Sequence, residues 1–141
     1  MLLGRYYTRI SVKGRVALPS RFRKIIGQRL VVARWYENCL VVVSIKDWEG
    51  FTKRITLTDE LLTQSLRGID RFVLGSSFEI ETDSQGRFVV PRFLRDFAKL
   101  EDEIVFLGLS DRVEIWDKKI WEEYEKGIEA KAYKNLENLG K

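Results

Sequence analysis

Two short segments of the chain place cations around a glycine, a pattern that could form an anion-binding turn. They are Ser11–Arg15, with the sequence SVKGR, and Asp83–Arg87, with the sequence DSQGR. Glycine tolerates the positive φ of a tight turn, so Gly14 and Gly86 are predicted to shape the two turns without touching a ligand. Lysine and arginine at such a tip can donate several N–H groups to phosphate oxygens, and arginine can also donate to both acceptors of a guanine base.

The two turns differ at the residue four positions before the arginine. Asp83 and Arg87 flank the second turn, and a carboxylate and a guanidinium at this spacing can meet across a hairpin as an ion pair. Arg87 is therefore predicted to be held by a structural ion pair, while it remains a candidate contact to an external anion. The first turn has Ser11 at the acidic position, so the Arg15 guanidinium is expected to stay free for an external acceptor.

The positive charge of the chain is concentrated at its start. The net charge is +4, yet the first 34 residues contain nine Lys and Arg and no acid, so the remaining 107 residues carry −5. A solvated basic face is the alternative to a binding surface, but such runs seldom lack any acid over this length. A helix predicted to start near residue 20 has cations in its first turns, where they oppose the helix dipole, which favours an anion nearby. The candidate contacts on this basic arm, besides Arg15, are Arg5, Arg9, Lys13, Arg21, Arg23 and Lys24.

The chain contains an internal repeat. Residues 13–23 match residues 85–95 at an offset of 72, with glycine, arginine and proline in register. After one inserted residue the match resumes at an offset of 73, where Trp48 aligns with Trp121. Agreement over about fifty positions indicates two copies of one structural unit.

Each copy is predicted to contain the same strands. A strand, a glycine turn and a second short strand form a β-hairpin, and two further strands rich in β-branched residues follow. The predicted strands are Tyr6–Ser11, Arg15–Leu18, Leu30–Ala33 and Leu40–Ser44 in the first copy, and Phe78–Thr82, Arg87–Val90, Ile104–Leu107 and Arg112–Trp116 in the second.

Short helices are predicted after each hairpin and at the end of each copy. Pro19 and Pro91 suit the first turn of a helix because their fixed φ is helical, and Gly27 suits a helix end. Asp47 and Asp117 are predicted N-caps, since a carboxylate can accept the first free N–H groups of a helix. The final helix is expected to run from Lys118 to about Asn135, and a separate helix from Asp59 to Arg67, ended by Gly68, is expected to join the copies.

These elements predict an α+β fold, mainly β with short helices. We divide the chain into a first repeat at residues 5–54, a helical linker at 55–75, a second repeat at 76–127 and a C-terminal helical tail at 128–141. A β unit this small leaves strand edges and one face exposed, which two interlocking copies would cover. The residues leave open whether the copies interlock within one chain or between chains, and exposed edges favour a homo-oligomer.

Composition argues against an enzyme, a metal site or a cofactor. The chain has no histidine and one cysteine, Cys39, which is expected to be a small buried hydrophobe. No catalytic serine motif or phosphate-binding glycine loop is present. No apolar run reaches the roughly 18 residues that span a bilayer, so a cytoplasmic protein is expected. The tryptophans Trp35, Trp48, Trp116 and Trp121 are expected to pack in the core rather than to stack on bases.

At its paired glycine turns the sequence resembles the MraZ family, bacterial regulators with two SpoVT-AbrB-like repeats, and the resemblance covers nearly the whole chain. Each family repeat carries an Asp-x-x-x-Arg hairpin followed by a proline-started basic helix. Asp83–Arg87 matches this motif, whereas Ser11–Arg15 keeps the glycine and the arginine and lacks the acid.

The resemblance implies a swapped-hairpin β-barrel, in which the two repeats form a pseudo-dimer within the chain, and ring-like homo-oligomers. It also implies nucleoid-associated binding to repeated sites in duplex DNA, at the promoter of the division and cell-wall gene cluster, with repression of transcription.

The residues themselves support three hypotheses. The first is sequence-specific binding of duplex DNA through the basic tip. The second is binding of RNA or single-stranded nucleic acid, and the third is an oligomeric scaffold whose basic arm contacts an acidic protein.

Overall fold

A computed structural model describes residues 1–56 and 64–140 of the chain. The described residues form eight strands, five α-helices and two short 3-10 turns. The strands are β1 (Leu2–Arg9), β2 (Arg15–Ala17), β3 (Arg29–Arg34), β4 (Leu40–Ser44), β5 (Phe78–Glu81), β6 (Arg87–Val89), β7 (Glu103–Ser110) and β8 (Val113–Asp117). The helices are α1 (Ser20–Ile26), α2 (Ile45–Thr56), α3 (Gln64–Val73), α4 (Arg92–Ala98) and α5 (Lys118–Leu139).

Six strands form one antiparallel sheet in the order β1-β7-β8-β4-β3-β5. The remaining two, β2 and β6, pair with each other in a separate two-stranded sheet. The large sheet is open, with β1 and β5 at its edges, so its strand pairing does not close it into a barrel. Its central strands are apolar on both faces because both faces are covered.

The two repeats are related by an approximate two-fold symmetry within the chain. Replacing each strand by its equivalent in the other repeat (β1 by β5, β3 by β7, β4 by β8) reverses the strand order of the large sheet and leaves it otherwise unchanged. The symmetry axis passes between β4 and β8, which pair through Leu40–Val42 and Val113–Ile115. The predicted α+β class and the two copies of one unit are confirmed, and the copies interlock within one chain.

Each face of the large sheet has its own hydrophobic core. Successive residues of a strand alternate between them, so that Leu40 and Val42 lie in the core beneath the two-stranded sheet and Val41 and Val43 lie in the core beneath α2 and α5. Phe22 and Phe106 are fully buried in the first core. Three of the four tryptophans are buried in the second core and Trp48 packs against it, as expected.

The predicted hairpins are only half right. Both glycine turns form, but the strands on either side of each turn separate and pair with the other repeat. β1 pairs with β7 along its whole length, and β2 pairs with β6. Strands of three residues have too short a pattern to specify a partner, so local spacing suggested the wrong one.

Several helix boundaries also differ from the predictions. The helix α3 continues through Gly68 to Val73, so Gly68 does not end it. The helix α2 starts at Ile45, before Asp47, and Asp47 donates its backbone N–H to the Ser44 hydroxyl instead of capping. Pro19 and Pro91 are the N-cap residues of α1 and α4 rather than first-turn residues. The segment 59–63 of the predicted joining helix lies outside the described residues.

Other boundaries agree with the sequence. Gly27 ends α1 with a φ of 84°. Asp117 caps α5 by accepting the Ile120 N–H at 3.1 Å. The helix α5 is four residues longer than expected, ending at Leu139. No helix within residues 1–56 and 64–140 has the length and apolar character needed to cross a membrane.

Gly108 of β7 gives a test of the packing between the sheet and its first edge strand. A Cβ at this position would lie 2.6 Å from the backbone nitrogen of Leu3 and 2.7 Å from the carbonyl carbon of Leu2. Gly108→Ala should therefore force β1 away from β7 and destabilise the protein by about 1–3 kcal/mol in urea denaturation. Gly127→Ala is the control, because Gly127 lies in α5 with open space around it and alanine should stabilise the helix by about 0.5–1 kcal/mol. Equal free energies of unfolding for the two variants would contradict the close packing of β1 against β7 at Gly108.

Candidate nucleic-acid interface

The paired strands β2 and β6 form a short antiparallel ribbon, which we call the ribbon. In its register Arg15 lies opposite Val89, Val16 opposite Phe88, and Ala17 opposite Arg87. Because side chains alternate along a strand, Val16 and Phe88 point inward and are buried in the first core. The outward face consists of Arg15, Ala17, Arg87 and Val89, all exposed. The two predicted tip arginines therefore share one face, each supplied by a different repeat.

The two glycine turns are bonded to the opposite repeat. Gly14 has a φ of 86° and Gly86 a φ of 76°, so both need the left-handed conformation that glycine allows. The Leu18 N–H donates to the Gly86 carbonyl at 2.9 Å, and the Val90 N–H donates to the Gly14 carbonyl at 2.8 Å. These two bonds extend the ribbon at both ends and fix each tip to the chain that leads into the other repeat's helix.

Two arginines cover the tips in the same crossed manner. Arg23 of α1 lies over Gly86, and Arg95 of α4 lies over Gly14. Arg95 also donates from Nε to the Val90 carbonyl at 3.0 Å. Arg95 was not predicted as a site residue, although the repeat alignment places it opposite Arg23 at the offset of 72. The signal that could have found it was the arginine shared by both copies.

The second tip is held by its aspartate. Asp83 Oδ2 accepts from Arg87 Nε at 2.7 Å, and Asp83 Oδ1 accepts the backbone N–H groups of Gln85 and Arg87, both at 2.9 Å. The backbone bond from Arg87, followed by its guanidinium, lowers the pKa of Asp83 from 3.8 to about 2. Arg87 is therefore already committed in part to an internal partner.

The first tip has the same backbone and a different charge. Ser11 Oγ accepts the Arg15 backbone N–H at 2.9 Å, replacing one of the aspartate bonds. Within residues 1–56 and 64–140, the charged groups of Lys13 and Arg15 have no hydrogen-bond or ion-pair partner. The Lys13 ammonium and the Arg15 guanidinium are thus available to an anion from outside.

The fold pairs two arginines of the predicted basic arm with acidic residues. Arg5 forms a bidentate pair with Glu125 of α5 at 3.0 and 2.5 Å, and this bonding raises the pKa of Arg5 above its usual range. Arg9 bonds to Asp102 at 2.7 Å and to Glu103 at 3.3 Å. Both arginines stand on the edge strand β1 and are neutralised by acids more than 90 residues away in sequence. They do not share the unpaired state of Lys13 and Arg15.

The remaining predicted cations lie on α1. Arg21 donates to the Tyr6 hydroxyl at 3.4 Å, Arg23 covers the second tip, and Lys24 is exposed. The side chains that the structure brings together around the ribbon are accordingly Arg15, Arg23, Arg87 and Arg95, with Lys13 at the first tip.

The model of one protein family, described as "MraZ protein, putative antitoxin-like", matches the chain twice, at residues 1–72 and 73–139. The chain belongs to the MraZ family. The two matches of the MraZ model divide the chain at the same internal repeat that the strand order reveals.

Curated members of the MraZ family are similar to the chain over almost its whole length. A protein of Caldanaerobacter subterraneus subsp. tengcongensis, named transcriptional regulator MraZ, is 39% identical over 139 residues, which cover 99% of this chain and 96% of the relative. A protein of Thermoanaerobacter sp. (strain X514) with the same name is 38% identical over the same coverage. One of Acetivibrio thermocellus, also named transcriptional regulator MraZ, is 36% identical over 88% of this chain and 86% of the relative.

The depressed pKa of Asp83 predicts how the second tip depends on pH. A carboxyl whose folded pKa of about 2 lies below its ordinary value contributes stability above about pH 4, and this contribution is lost as the pH falls through about 2. Asp83→Asn keeps an oxygen that accepts backbone N–H groups and removes the charge. Wild type should therefore be more stable than this variant at pH 6, and the difference should vanish near pH 2, in urea denaturation. An Asp83 carboxyl resonance that titrates near its ordinary value in NMR would contradict the predicted shift.

Proposed function

We propose that the chain is a transcriptional regulator that binds duplex DNA through the ribbon and its tips. The single observation that carries the proposal is the exposed face shared by Arg15 and Arg87, with Lys13 at one tip and no partner for Lys13 among the described residues. The major groove of B-DNA is wide enough to admit a two-stranded β-ribbon, and arginine is the side chain that most often reads guanine there. The names of the MraZ relatives support the regulatory role.

In this proposal each side chain has a distinct part. Arg15 contacts base edges or phosphates, because its guanidinium stands on the outward face and has no partner in the part of the chain that the structure describes. Lys13 contacts the backbone as a point charge. Arg23 and Arg95 hold the glycine tips in place and add positive potential beneath the DNA. Arg87 contributes less than Arg15, because Asp83 already accepts a bond from its Nε.

The second hypothesis, binding of RNA or single strands, is less well supported by the same surface. Proteins of that kind stack successive bases on aromatic rings. The outward positions of the ribbon are Arg15, Ala17, Arg87 and Val89, none of which is aromatic. The scaffold hypothesis needs only a basic surface and would show no preference for duplex DNA.

We further propose that the chain acts as a ring-like homo-oligomer on tandem promoter repeats, in the cytoplasm on the nucleoid, and that it represses the division and cell-wall gene cluster. The open edges β1 and β5 support association, since unpaired edge strands are prone to pair with another chain. One ribbon makes few base contacts, so several ribbons on one DNA are needed for tight binding.

Arg15→Ala and Arg87→Ala form a matched pair that tests the proposed interface. The first should weaken duplex binding far more than the second and should reduce the slope of log K against log salt by about one unit. Folding of both variants should survive, as judged by circular dichroism. Binding is measured by mobility shift with duplex, single-stranded DNA and RNA as competitors. If RNA competes as effectively as duplex DNA, the chain does not prefer duplex DNA. If Arg87→Ala reduces affinity as much as Arg15→Ala, Arg15 is not the main contact.

The phasing of DNA repeats tests the oligomeric part of the proposal. Repeats spaced by one helical turn, roughly 10 base pairs, let successive ribbons meet the same face of the duplex, and linkage can raise apparent affinity by about 10² to 10⁴. An insertion of about 5 base pairs turns the second repeat by half a turn and should reduce affinity towards that of one repeat. Inserting a full turn is the control. Equal affinity for all spacers, with light scattering that shows only a 16.6 kDa monomer, would rule out a phased array.

A further inference from the structure

A cavity of about 250 Å³ opens on the side of the large sheet that faces away from the ribbon. Its deepest walls, Trp116 and Trp121, belong to the core beneath α5, whereas the ribbon packs on the other core. The cavity lies between the turn at Tyr36–Asn38, the strands β7 and β8, and the helix α5. It is therefore bounded by the first repeat on one side and by the second repeat on the other.

The mouth of the cavity is unusually apolar for an exposed surface. Tyr36, Leu109, Tyr124 and Ile128 all line it, and each is more than a third exposed to solvent. Large apolar side chains that cluster around a concave surface mark a binding site more often than isolated exposed ones do. The Tyr124 ring packs against Trp116 with centroids 5.0 Å apart, so the aromatic wall is fixed.

The polar groups at the mouth carry excess negative charge. Glu37 Oε1 accepts from the Tyr124 hydroxyl at 3.2 Å, and within residues 1–56 and 64–140 no cation pairs with its carboxylate. The buried Glu114 lies deeper and already accepts bonds from Arg112 and Trp116. Arg112 also pairs with Asp111 at 3.0 Å, so it is shared between two acids. Among the described residues, the carboxylate of Glu37 is thus left without a counter-ion beside an aromatic wall.

The repeat allows the residues of the cavity to be compared with the equivalent positions in the other copy. At the offset of 73, Trp116 corresponds to Val43, Glu114 to Val41, and Glu37 to Ser110. Ser110 has a positive φ of 73°, like Glu37 at 51°, but Glu37 lies in the turn Tyr36–Asn38 whereas Ser110 ends β7, so the two loops differ in backbone as well as in side chains.

The equivalent place in the other repeat has a different character. Val41, Val43 and Ser110 stand there in place of Glu114, Trp116 and Glu37, and no position equivalent to the cavity lining carries a carboxylate. Among the described residues at these equivalent positions, the combination of an aromatic wall and an unpaired carboxylate occurs in one repeat, so the fold does not require it.

We propose that this cavity binds a small organic cation, an ammonium or quaternary ammonium group carried on an apolar body. The positive group would lie beside the Glu37 carboxylate and the Tyr36 and Tyr124 rings, where ion pairing and cation–π attraction act together. The apolar body would cover Leu109 and Ile128. A cavity of this size is smaller than most drug-sized sites, which limits the ligand to about ten non-hydrogen atoms.

Such a ligand joins the two repeats without covering the proposed DNA surface. Glu37 and Tyr36 belong to the first repeat, and Tyr124 and Ile128 stand on α5 of the second. Because it binds the folded chain only, the ligand also raises the thermal midpoint, and the rise grows with the logarithm of the ligand concentration once this exceeds the dissociation constant. Duplex and cation should then bind the same molecule at the same time.

Benzylammonium and benzyl alcohol provide a matched pair of probes, equal in size and different in charge. Isothermal titration with the full-length protein at low salt should give benzylammonium at least about fivefold tighter binding than the alcohol. Glu37→Gln should weaken benzylammonium about fivefold and leave the alcohol unchanged. Glu123→Gln is the control for net charge, because Glu123 is an exposed acid of α5 that does not line the cavity.

A second variant keeps the test independent of Glu37. Ile128→Lys places a tethered ammonium at the mouth and should abolish binding of added benzylammonium while circular dichroism shows an intact fold. The proposal is overturned if the alcohol binds as tightly as the cation, if no binding of benzylammonium is detected, or if Glu123→Gln weakens binding as much as Glu37→Gln.

Discussion

The pairing of β2 with β6 is the contact on which the rest of this molecule depends. Two strands of three residues have little stability on their own, and neither can pair within its own repeat because β1 and β5 are bonded elsewhere. The ribbon persists because Val16 and Phe88 are buried beneath it and because each glycine tip is bonded to the other repeat. Removing one repeat would therefore remove the site as well as half of the sheet.

The two glycine tips have nearly the same backbone but different charges, so the proposed interface is asymmetric. The backbones of the two tips have the same hydrogen bonds, yet the Arg87 side chain is bound by Asp83, whereas Arg15 donates its backbone N–H to the Ser11 hydroxyl. A true dimer of identical chains would present two equal arginines. Duplication within one chain permits one tip to be specialised for rigidity and the other for contact.

The sequence predicted the features that depend on short-range patterns or on the repeat. Alternating and apolar runs located the strands, the glycines located both tips, and the spacing of Asp83 and Arg87 indicated their ion pair. It could not predict that β1 and β2 pair with strands of the other repeat, because pairing between residues so far apart in the sequence depends on how the whole core packs. Nor could it predict the acids that neutralise Arg5 and Arg9, which lie more than 90 residues away. The helix end predicted at Gly68 was wrong for another reason. A glycine inside a helix costs about 1 kcal/mol, and packing of the residues around it easily offsets this cost.

The interlocked topology also constrains how the chain can fold while it is being made. The first strand, β1, has its partner at residues 103–110, so roughly a hundred residues must be synthesised before its edge is covered. At typical rates of about 5–20 residues per second this takes about 5–20 s. During that interval Tyr6, Val16 and Phe22 have no second repeat to pack against. The nascent first half therefore exposes apolar surface until synthesis of the second repeat is complete.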